Sequence, residues 1–259
     1  MTTAPTSFRL RLLAPDHWPA WIGLGLLWLL SRIPYRALMM LGGGLGWVFA
    51  RIPGSRRRIA RRNIERCFPQ LDGNARERLL EDNLRDAGRM LAEFALAWLG
   101  SKRAIARVPV HIEGLEHVAA AVAAGRGVLL TGAHFSHLEL AGRLLVERGG
   151  VPLAGMYREH GDAAFEWAIR RARLRYATAM FTKYEIRACV RHMRDGGKLW
   201  YAPDQDMRGK DNVFVPFFGI PASTLTATHH LARLSGACVI PFFHRRLAGG
   251  GYELRLEPA

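Results

Sequence analysis

The sequence predicts an α/β fold in which helices flank a mainly parallel central sheet, preceded by a membrane-associated helical region at the N-terminus. Short apolar runs alternate with helical stretches from about residue 106 onward, which is typical of a parallel sheet. Residues 18–50 contain no acidic side chain, which favours an apolar environment for the N-terminal region. We expect a membrane anchor over 1–50, an Arg-rich and amphipathic helical region over 51–105, and an α/β core over 106–259 that is truncated at its C-terminus.

The expected anchor consists of two apolar segments, residues 18–30 with three tryptophans and residues 37–50 with four glycines. Each is shorter than the roughly 20 residues that a perpendicular span needs, so the anchor is predicted to be either spanning or re-entrant. Seven arginines follow between residues 51 and 66. Such a bias places the rest of the chain on the cytoplasmic side. The alternative for these arginines is an ordinary solvated helix face.

The composition excludes a disordered protein and argues against a disulfide-rich one. The 259 residues are 49% hydrophobic and 23% charged, which excludes disorder as the overall state. The formal net charge of +15 predicts an acidic partner. Nucleic acid, an anionic membrane surface and an acidic protein are the three alternatives. The three cysteines are far apart in sequence, so we expect neither a disulfide framework nor a thiolate zinc site.

Apolar periodicity predicts the individual elements of the fold. Residues 74–99 carry apolar side chains at spacings of three and four, which indicates an amphipathic core helix that Asn74 and Glu77 cap. Strands are predicted at 108–112, 127–131, 151–156, 198–202 and 238–243, with a further strand-like run from residue 252; helices are predicted at 137–148, 162–175, 184–195 and 224–235.

The most informative segment follows the predicted strand at 127–131. His134 and Glu139 are five residues apart, so on one continuous helix their side chains point in different directions. They meet only if the helix begins between them, and Ser136 is the expected N-cap residue. Glu139 then accepts a hydrogen bond from one nitrogen of His134, while the other nitrogen removes a proton from a hydroxyl group.

Two other interpretations of this segment remain open. The pattern Ser136-x-x-Glu139 is also a capping box, in which Glu139 does no more than stabilise the helix start. His134, His137 and Glu139 form a conceivable zinc site, although the spacing between the two histidines does not put them on one helix face.

Charged residues also follow the later predicted strands. Arg158 follows the strand at 151–156, and Asp204 and Asp206 follow the strand at 198–202. Because ligands of open α/β sheets bind at the carboxyl ends of the strands, this set favours a site there. The Asp-x-Asp pattern by itself is also typical of a metal-bound nucleotide-sugar site or of a simple turn.

The ordered set of motifs resembles the late acyltransferases of lipid A biosynthesis, the lauroyl and myristoyl transferases, within the glycerolipid acyltransferase superfamily. The resemblance covers nearly the whole chain and rests on these segments: Arg61-Arg-Asn-Ile-Glu-Arg-Cys-Phe-Pro69, His134-x4-Glu139, Met156-Tyr-Arg158, Arg173-Leu-Arg175, Tyr201-Ala-Pro-Asp-Gln-Asp206, Val213-Phe-Val-Pro-Phe-Phe218 and Leu231-Ala-Arg-Leu-Ser-Gly-Ala237. The chain departs from the family where Glu159 replaces a common proline and Gln205 replaces a histidine.

The resemblance implies acyl transfer from an acyl carrier protein thioester to a hydroxyl of a lipid A precursor at the cell inner membrane. It implies His134 as general base and Glu139 as its partner, with Arg173 and Asp204 as further catalytic residues. Arg158, Asp206 and Ser136 are the expected substrate-binding residues. Neither a covalent intermediate, nor a metal, nor an organic cofactor is expected.

Three alternative functions remain, one with a different acceptor and two that belong to other classes of protein. The same chemistry fits a lysophospholipid or a lipoamino acid acceptor. Asp204 and Asp206 also fit a metal-dependent glycosyltransferase, although no nucleotide-binding fingerprint precedes them. The arginine tract fits a non-enzymatic binder of nucleic acid or anionic lipid, but the apolar N-terminus and the lack of interleaved aromatic and basic residues argue against nucleic acid.

Overall fold

A computed structural model of the protein describes residues 8–205 and 212–259. Its α-helices are α1 (Trp18–Leu30), α2 (Tyr35–Arg51), α3 (Ser55–Cys67), α4 (Gly73–Leu99), α5 (Lys102–Ala106), α6 (Leu115–Ala123), α7 (Leu138–Gly149), α8 (Ala163–Arg173), α9 (Ile186–Arg194) and α10 (Ala227–Ser235). Its strands are β1 (Val110–Glu113), β2 (Val128–Thr131), β3 (Leu153–Tyr157), β4 (Met180–Thr182), β5 (Lys198–Tyr201), β6 (Asn212–Phe217), β7 (Ile220–Leu225), β8 (Cys238–Arg246) and β9 (Tyr252–Leu256).

Seven strands form one sheet in the order β1-β9-β8-β2-β5-β3-β4. Neighbouring strands are parallel except β8 and β9, which are antiparallel. In β2, Leu129 packs into one hydrophobic cluster while Val128 and Leu130 pack into another. Because successive side chains of a strand point to opposite faces, both faces of the sheet are covered, as a parallel sheet requires. The predicted α/β fold with a mainly parallel sheet is confirmed.

The second sheet is an antiparallel hairpin of β6 and β7 that the sequence did not predict. Its turn consists of Phe218 and Gly219, both with positive φ angles (50° and 76°). The helix predicted at 224–235 is correspondingly shorter and begins at Ala227, because residues up to Leu225 belong to β7. The short strand β4 at the sheet edge was also not predicted.

Helix α4 begins differently from the prediction. Asp72 adopts an extended backbone conformation just before the helix, and its Oδ1 accepts a hydrogen bond of 2.7 Å from the backbone N–H of Ala75. The predicted cap by Asn74 and Glu77 is therefore wrong. Glu77 instead forms ion pairs with two arginines of α3, Arg57 and Arg61.

Glycines set the distance between α2 and α4. A Cβ atom on Gly88 would overlap the backbone nitrogen of Gly46 and the backbone oxygen of Gly42. The two helices therefore touch through their main chains, as small residues permit. Leu38 of α2 is fully buried in this contact region, so α2 belongs to the core that extends to the sheet.

The outer faces of α1 and α2 expose large apolar side chains. Ile22 is 63% exposed and Met40 77% exposed, and several tryptophan, leucine and phenylalanine side chains of the same helices accompany them. Over residues 8–205 and 212–259, no single helix combines the length and the apolar character needed to cross a bilayer. The membrane anchor stays a prediction.

Candidate active site

Strand pairing brings two loops together at the centre of the sheet. The neighbours β2 and β5 are parallel, and the last residue of β2, Thr131, pairs with the last residue of β5, Tyr201. His134 and Asp204 each follow their strand end by three residues. The two residues therefore lie side by side at the carboxyl-terminal edge of the sheet, where parallel α/β sheets bind ligands.

His134 and Asp204 make two hydrogen bonds. The imidazole Nδ1 lies 2.6 Å from Asp204 Oδ1, and the backbone N–H of His134 donates to Asp204 Oδ2 at 2.9 Å. The carboxylate thus fixes both the loop and the ring, and it favours the tautomer with hydrogen on Nδ1. The side chains are 39% and 37% exposed, which leaves the ring accessible from outside.

Glu139 has different partners from the predicted one. Its carboxylate accepts hydrogen bonds from Arg173 Nε at 3.2 Å and Nη2 at 2.5 Å, and from the indole N–H of Trp98 at 2.8 Å. The pairing of Glu139 with His134 is therefore wrong, because Asp204 takes the imidazole Nδ1. The carboxylate of Glu139 instead joins α7 to Trp98 of α4 and Arg173 of α8.

The Glu139–Arg173 pair is largely shielded from solvent, with side chains 11% and 16% exposed. Burial alone lowers the pKa of Arg173, but the charge and hydrogen bonds of Glu139 outweigh burial and raise this pKa. Arg173 also lies 5.3 Å from the ring centre of Tyr157 and 5.9 Å from that of Trp98. The guanidinium is therefore a fixed positive charge between aromatic rings.

Ser136 does not cap helix α7. The N-cap residue is His137 rather than Ser136, and its side chain makes no capping hydrogen bond within the described part of the chain. The helix begins at Leu138, which makes Glu139 its second residue. The hydroxyl of Ser136 instead accepts a hydrogen bond of 2.8 Å from Arg246 Nη2. The capping box interpretation is therefore wrong as well. A carboxylate at the second position is still stabilised by the helix dipole.

Arg246 belongs to a buried ionic network beneath the His134 loop. It donates to both carboxylate oxygens of Glu93, at 2.6 and 2.7 Å, and pairs with Asp86 at 2.9 Å. The phenolic hydroxyl of Tyr252 also donates to Glu93, at 2.6 Å. Burial raises the pKa of Glu93, although Arg246 and Tyr252 oppose that rise. The network links α4 and β8 to the loop through Ser136.

A cavity of about 340 Å³ opens beside His134 and extends between β3, α7 and α8; we call it the strand-end cavity. Its lining is mostly apolar and includes Leu138, Gly142, Leu153, Met156, Ile169 and Met180. His134, Glu139, Arg158 and Arg173 contribute polar groups to the same wall. The cavity therefore combines space for a hydrocarbon chain with acid–base groups near its mouth.

The remaining predicted site residues occupy different positions. Arg158 is exposed and lines the strand-end cavity. Its neighbour Tyr157 donates a hydrogen bond of 2.6 Å to Glu166, and burial raises the pKa of that phenol. Asp206 lies outside the described residues. Trp98 belongs to the amphipathic core helix predicted over 74–99, and nothing in the spacing of that helix signals its bond to Glu139.

The conceivable zinc site of His134, His137 and Glu139 does not form. His137 is 6% exposed and packs against His244, with ring centres 4.6 Å apart. Over residues 8–205 and 212–259, there is no group of three or more His, Cys, Asp or Glu side chains arranged to hold a metal ion. His137 is thus a buried residue that packs against β8.

Comparison with known proteins identifies the family. A family model described as bacterial lipid A biosynthesis acyltransferase matches residues 6–259. The chain is 37% identical to the lipid A biosynthesis lauroyltransferase of Escherichia coli K12, over 100% of this chain and 84% of that protein. It is 36% identical to the palmitoleoyltransferase of the same organism, over 97% and 82%, and 26% identical to its myristoyltransferase, over 88% and 71%. The chain is an acyltransferase and belongs to the bacterial lipid A biosynthesis acyltransferase family.

Proposed function

We propose that the protein transfers a fatty acyl chain from an acyl carrier protein thioester to a hydroxyl of a lipid A precursor, with His134 as general base. The observation that carries this proposal is the hydrogen bond of 2.6 Å between His134 Nδ1 and Asp204 at the mouth of a mostly apolar cavity. An imidazole held in this way directs its second nitrogen to an incoming hydroxyl.

The reaction needs no covalent enzyme intermediate, because a thioester is already activated. Nε2 of His134 takes the proton of the acceptor hydroxyl as its oxygen attacks the thioester carbonyl. The tetrahedral intermediate then collapses, the new ester C–O bond is kept and the C–S bond breaks. The thiolate of the carrier leaves with the proton from His134. Asp204 orients the ring and stabilises the imidazolium that forms between the two steps.

The Glu139–Arg173 pair supplies fixed charge beside the reacting carbonyl. Arg173 has five N–H donors, lines the strand-end cavity and is held rigidly by Glu139. We assign it to the negative charge that develops on the carbonyl oxygen. Removing one such donor typically lowers kcat about 10²–10³-fold. Glu139 is then a positioning residue that acts through Arg173.

The charge of the protein suits both substrates. The net charge of +15 favours an acidic carrier protein and a phosphorylated acceptor. Exposed Arg158 at the cavity mouth, together with Asp206, is assigned to substrate binding. Ser136, whose hydroxyl is bound to Arg246, positions the loop that carries His134.

The exposed apolar faces of α1 and α2 support attachment to the inner membrane, with the catalytic domain on the cytoplasmic side. Deleting residues 1–50 removes these faces and is expected to move the protein from the membrane fraction into soluble or aggregated material. Full retention of the deletion variant in the membrane fraction would assign the attachment to the arginines of α3 instead.

Mass spectrometry of lipid A tests the proposed function. The gene is expressed in a host that lacks its own late acyltransferase. The expected result is a gain of one acyl mass on lipid A, and this gain is absent with the His134→Ala variant at equal protein level. An acceptor panel with purified protein separates lipid A precursor from lysophospholipid and lipoamino acid acceptors. Acylation of these alone would contradict the proposal.

A further inference from the structure

A second cavity of about 570 Å³ lies between α1, α2 and α4; we call it the helical chamber. Its walls include Leu26, Leu30, Leu38, Leu45 and Leu91, and among the residues that the structure describes every lining residue is aliphatic, aromatic or glycine. A space of this composition holds no polar group in place and fits hydrocarbon. The chemistry proposed above assigns no occupant to it.

The helical chamber and the strand-end cavity share a wall. Phe94, Trp98 and Phe165 line both. The rings of Phe94 and Trp98 are stacked with centres 4.6 Å apart, and Phe165 meets Trp98 edge to face at 5.9 Å. The indole N–H of Trp98 donates to Glu139. Trp98 therefore contacts both the interior of the helical chamber and the Glu139–Arg173 pair.

Transfer to a hydroxylated acyl chain brings two hydrocarbon chains together at the reacting atoms. When the accepting hydroxyl belongs to a hydroxylated acyl chain, the acceptor's own chain and the donor's chain both extend away from the reacting atoms. The strand-end cavity carries His134 and reaches inward to Leu153 and Met180. Leu26, Leu41 and Leu45 line the helical chamber and are 57%, 43% and 38% exposed, so the chamber opens on the apolar surface of α1 and α2, from which an acyl chain of a membrane lipid can enter.

We propose that the helical chamber binds the hydroxylated acyl chain of the lipid acceptor, while the strand-end cavity binds the acyl chain of the thioester donor. This inference rests on the proposed function and adds the place of the acceptor. It makes α1 and α2 part of the substrate site in addition to any role in attachment.

Two glycines of α1 provide a matched test. Gly23 lines the chamber, and a Cβ atom built there meets nothing within 4 Å, so a leucine enters the chamber without a backbone clash. Gly25 is on the same helix and has equally open space, but it is exposed and does not line the chamber. Gly142 is the corresponding open position in the strand-end cavity.

The experiment measures KM for donor and acceptor separately with the full chain and its Gly23→Leu, Gly25→Leu and Gly142→Leu variants. Gly23→Leu is expected to raise the acceptor KM about tenfold, the effect of losing two buried methylenes, without changing the donor KM. An acceptor with a shorter hydroxyacyl chain restores its activity. Gly142→Leu shifts the preferred donor to a shorter chain, and Gly25→Leu behaves as wild type.

When the wild-type protein transfers the acyl chain, two results would overturn the inference. One is a wild-type acceptor KM in Gly23→Leu, and the other is a changed donor chain preference in that variant. Absence of transfer by the wild-type protein would count against the proposed function instead. In that case, direct binding of the acceptor without thioester still decides the inference: equal binding by Gly23→Leu and Gly25→Leu contradicts it, and weaker binding by Gly23→Leu alone supports it.

Discussion

His134 and Asp204 are 70 residues apart in the chain, yet the imidazole Nδ1 lies 2.6 Å from the carboxylate of Asp204. The contact exists because β2 and β5 are adjacent and end in register. The sheet therefore builds the acid–base pair from two loops, each placed by a buried strand. Rigid strands hold such a pair more accurately than a single flexible loop does.

We expect the Asp204→Asn variant to keep its fold and lose most of its activity. The amide fills the same space but carries no negative charge, so it neither stabilises imidazolium nor fixes the ring tautomer. A decrease in kcat of about 10²–10⁴-fold is predicted. Steady-state kinetics with circular dichroism as the folding control measures it. A kcat within a few-fold of wild type would remove Asp204 from the catalytic machinery.

Breaking the Glu139–Arg173 pair is expected to destabilise the protein as well as slow it. Arg173→Ala removes the ion pair of the shielded Glu139 carboxylate and leaves it the hydrogen bond from Trp98, which costs about 3–5 kcal/mol in the free energy of unfolding. Denaturant unfolding measures this loss. Arg245→Ala is the control, because Arg245 is 70% exposed in its pair with Glu253 and is expected to have no measurable effect. Equal stability of both variants would contradict the claim that the buried Glu139–Arg173 pair stabilises the fold.

Stability is expected to fall with decreasing pH because of two buried histidines. Burial, followed by the charge of Arg246, lowers the pKa of His137 to about 4. Burial, His137 and Arg246 together lower that of His244 to about 3. In the unfolded chain both imidazoles take up a proton as the pH falls through about 6.5, whereas in the folded chain burial opposes this protonation. The free energy of unfolding is therefore highest above pH 6.5 and decreases as the pH falls toward 4.

The size of this effect for His137 is roughly 3 kcal/mol between pH 6.5 and 4. Melting temperatures across this range measure it. His244→Phe is the informative variant, because the ring already packs against Phe135 and Phe242. This variant is expected to lose less stability on acidification than wild type. An unchanged slope would show that other groups cause the acid sensitivity.

Glycine contacts between α2 and α4 predict a large difference between two similar substitutions. Gly88→Ala forces the helices apart, because its Cβ overlaps the backbone of α2, and overpacking of this kind costs about 1–3 kcal/mol. Gly44→Ala is the control, since its Cβ meets nothing within 4 Å and alanine favours helix by about 1 kcal/mol. Thermal unfolding is expected to show opposite shifts. A destabilised Gly44→Ala variant would contradict the packing account.

Apolar periodicity predicted six of the seven strands of the main sheet, but neither the edge strand β4 nor the hairpin. The central strands were predicted within one or two residues at their starts, because long apolar runs between glycine-containing turns have few other solutions. The hairpin of β6 and β7 was missed. Its turn uses Phe218 and Gly219 at positive φ, where the usual Asn-Gly signal is absent.

For the candidate site, the sequence predicted the residues but not which of them pair. Sequence and family resemblance indicated His134, Glu139, Arg173 and Asp204. The first three line the strand-end cavity, and Asp204 is hydrogen-bonded to His134. Their pairing could not be predicted, because local spacing favoured Glu139 as partner of His134 whereas strand order makes Asp204 the partner. The N-cap role predicted for Ser136 is wrong for the same reason, since its hydrogen-bond partner Arg246 is 110 residues away.

The proton abstraction by His134 is the central claim, and turnover of purified His134→Ala with an acyl carrier protein thioester and a lipid A precursor tests it most directly. The account predicts that this variant binds both substrates with wild-type affinity and forms no acylated product detectable by mass spectrometry, while wild-type protein adds one acyl chain. Product formation by the variant at a rate near that of wild type would contradict it.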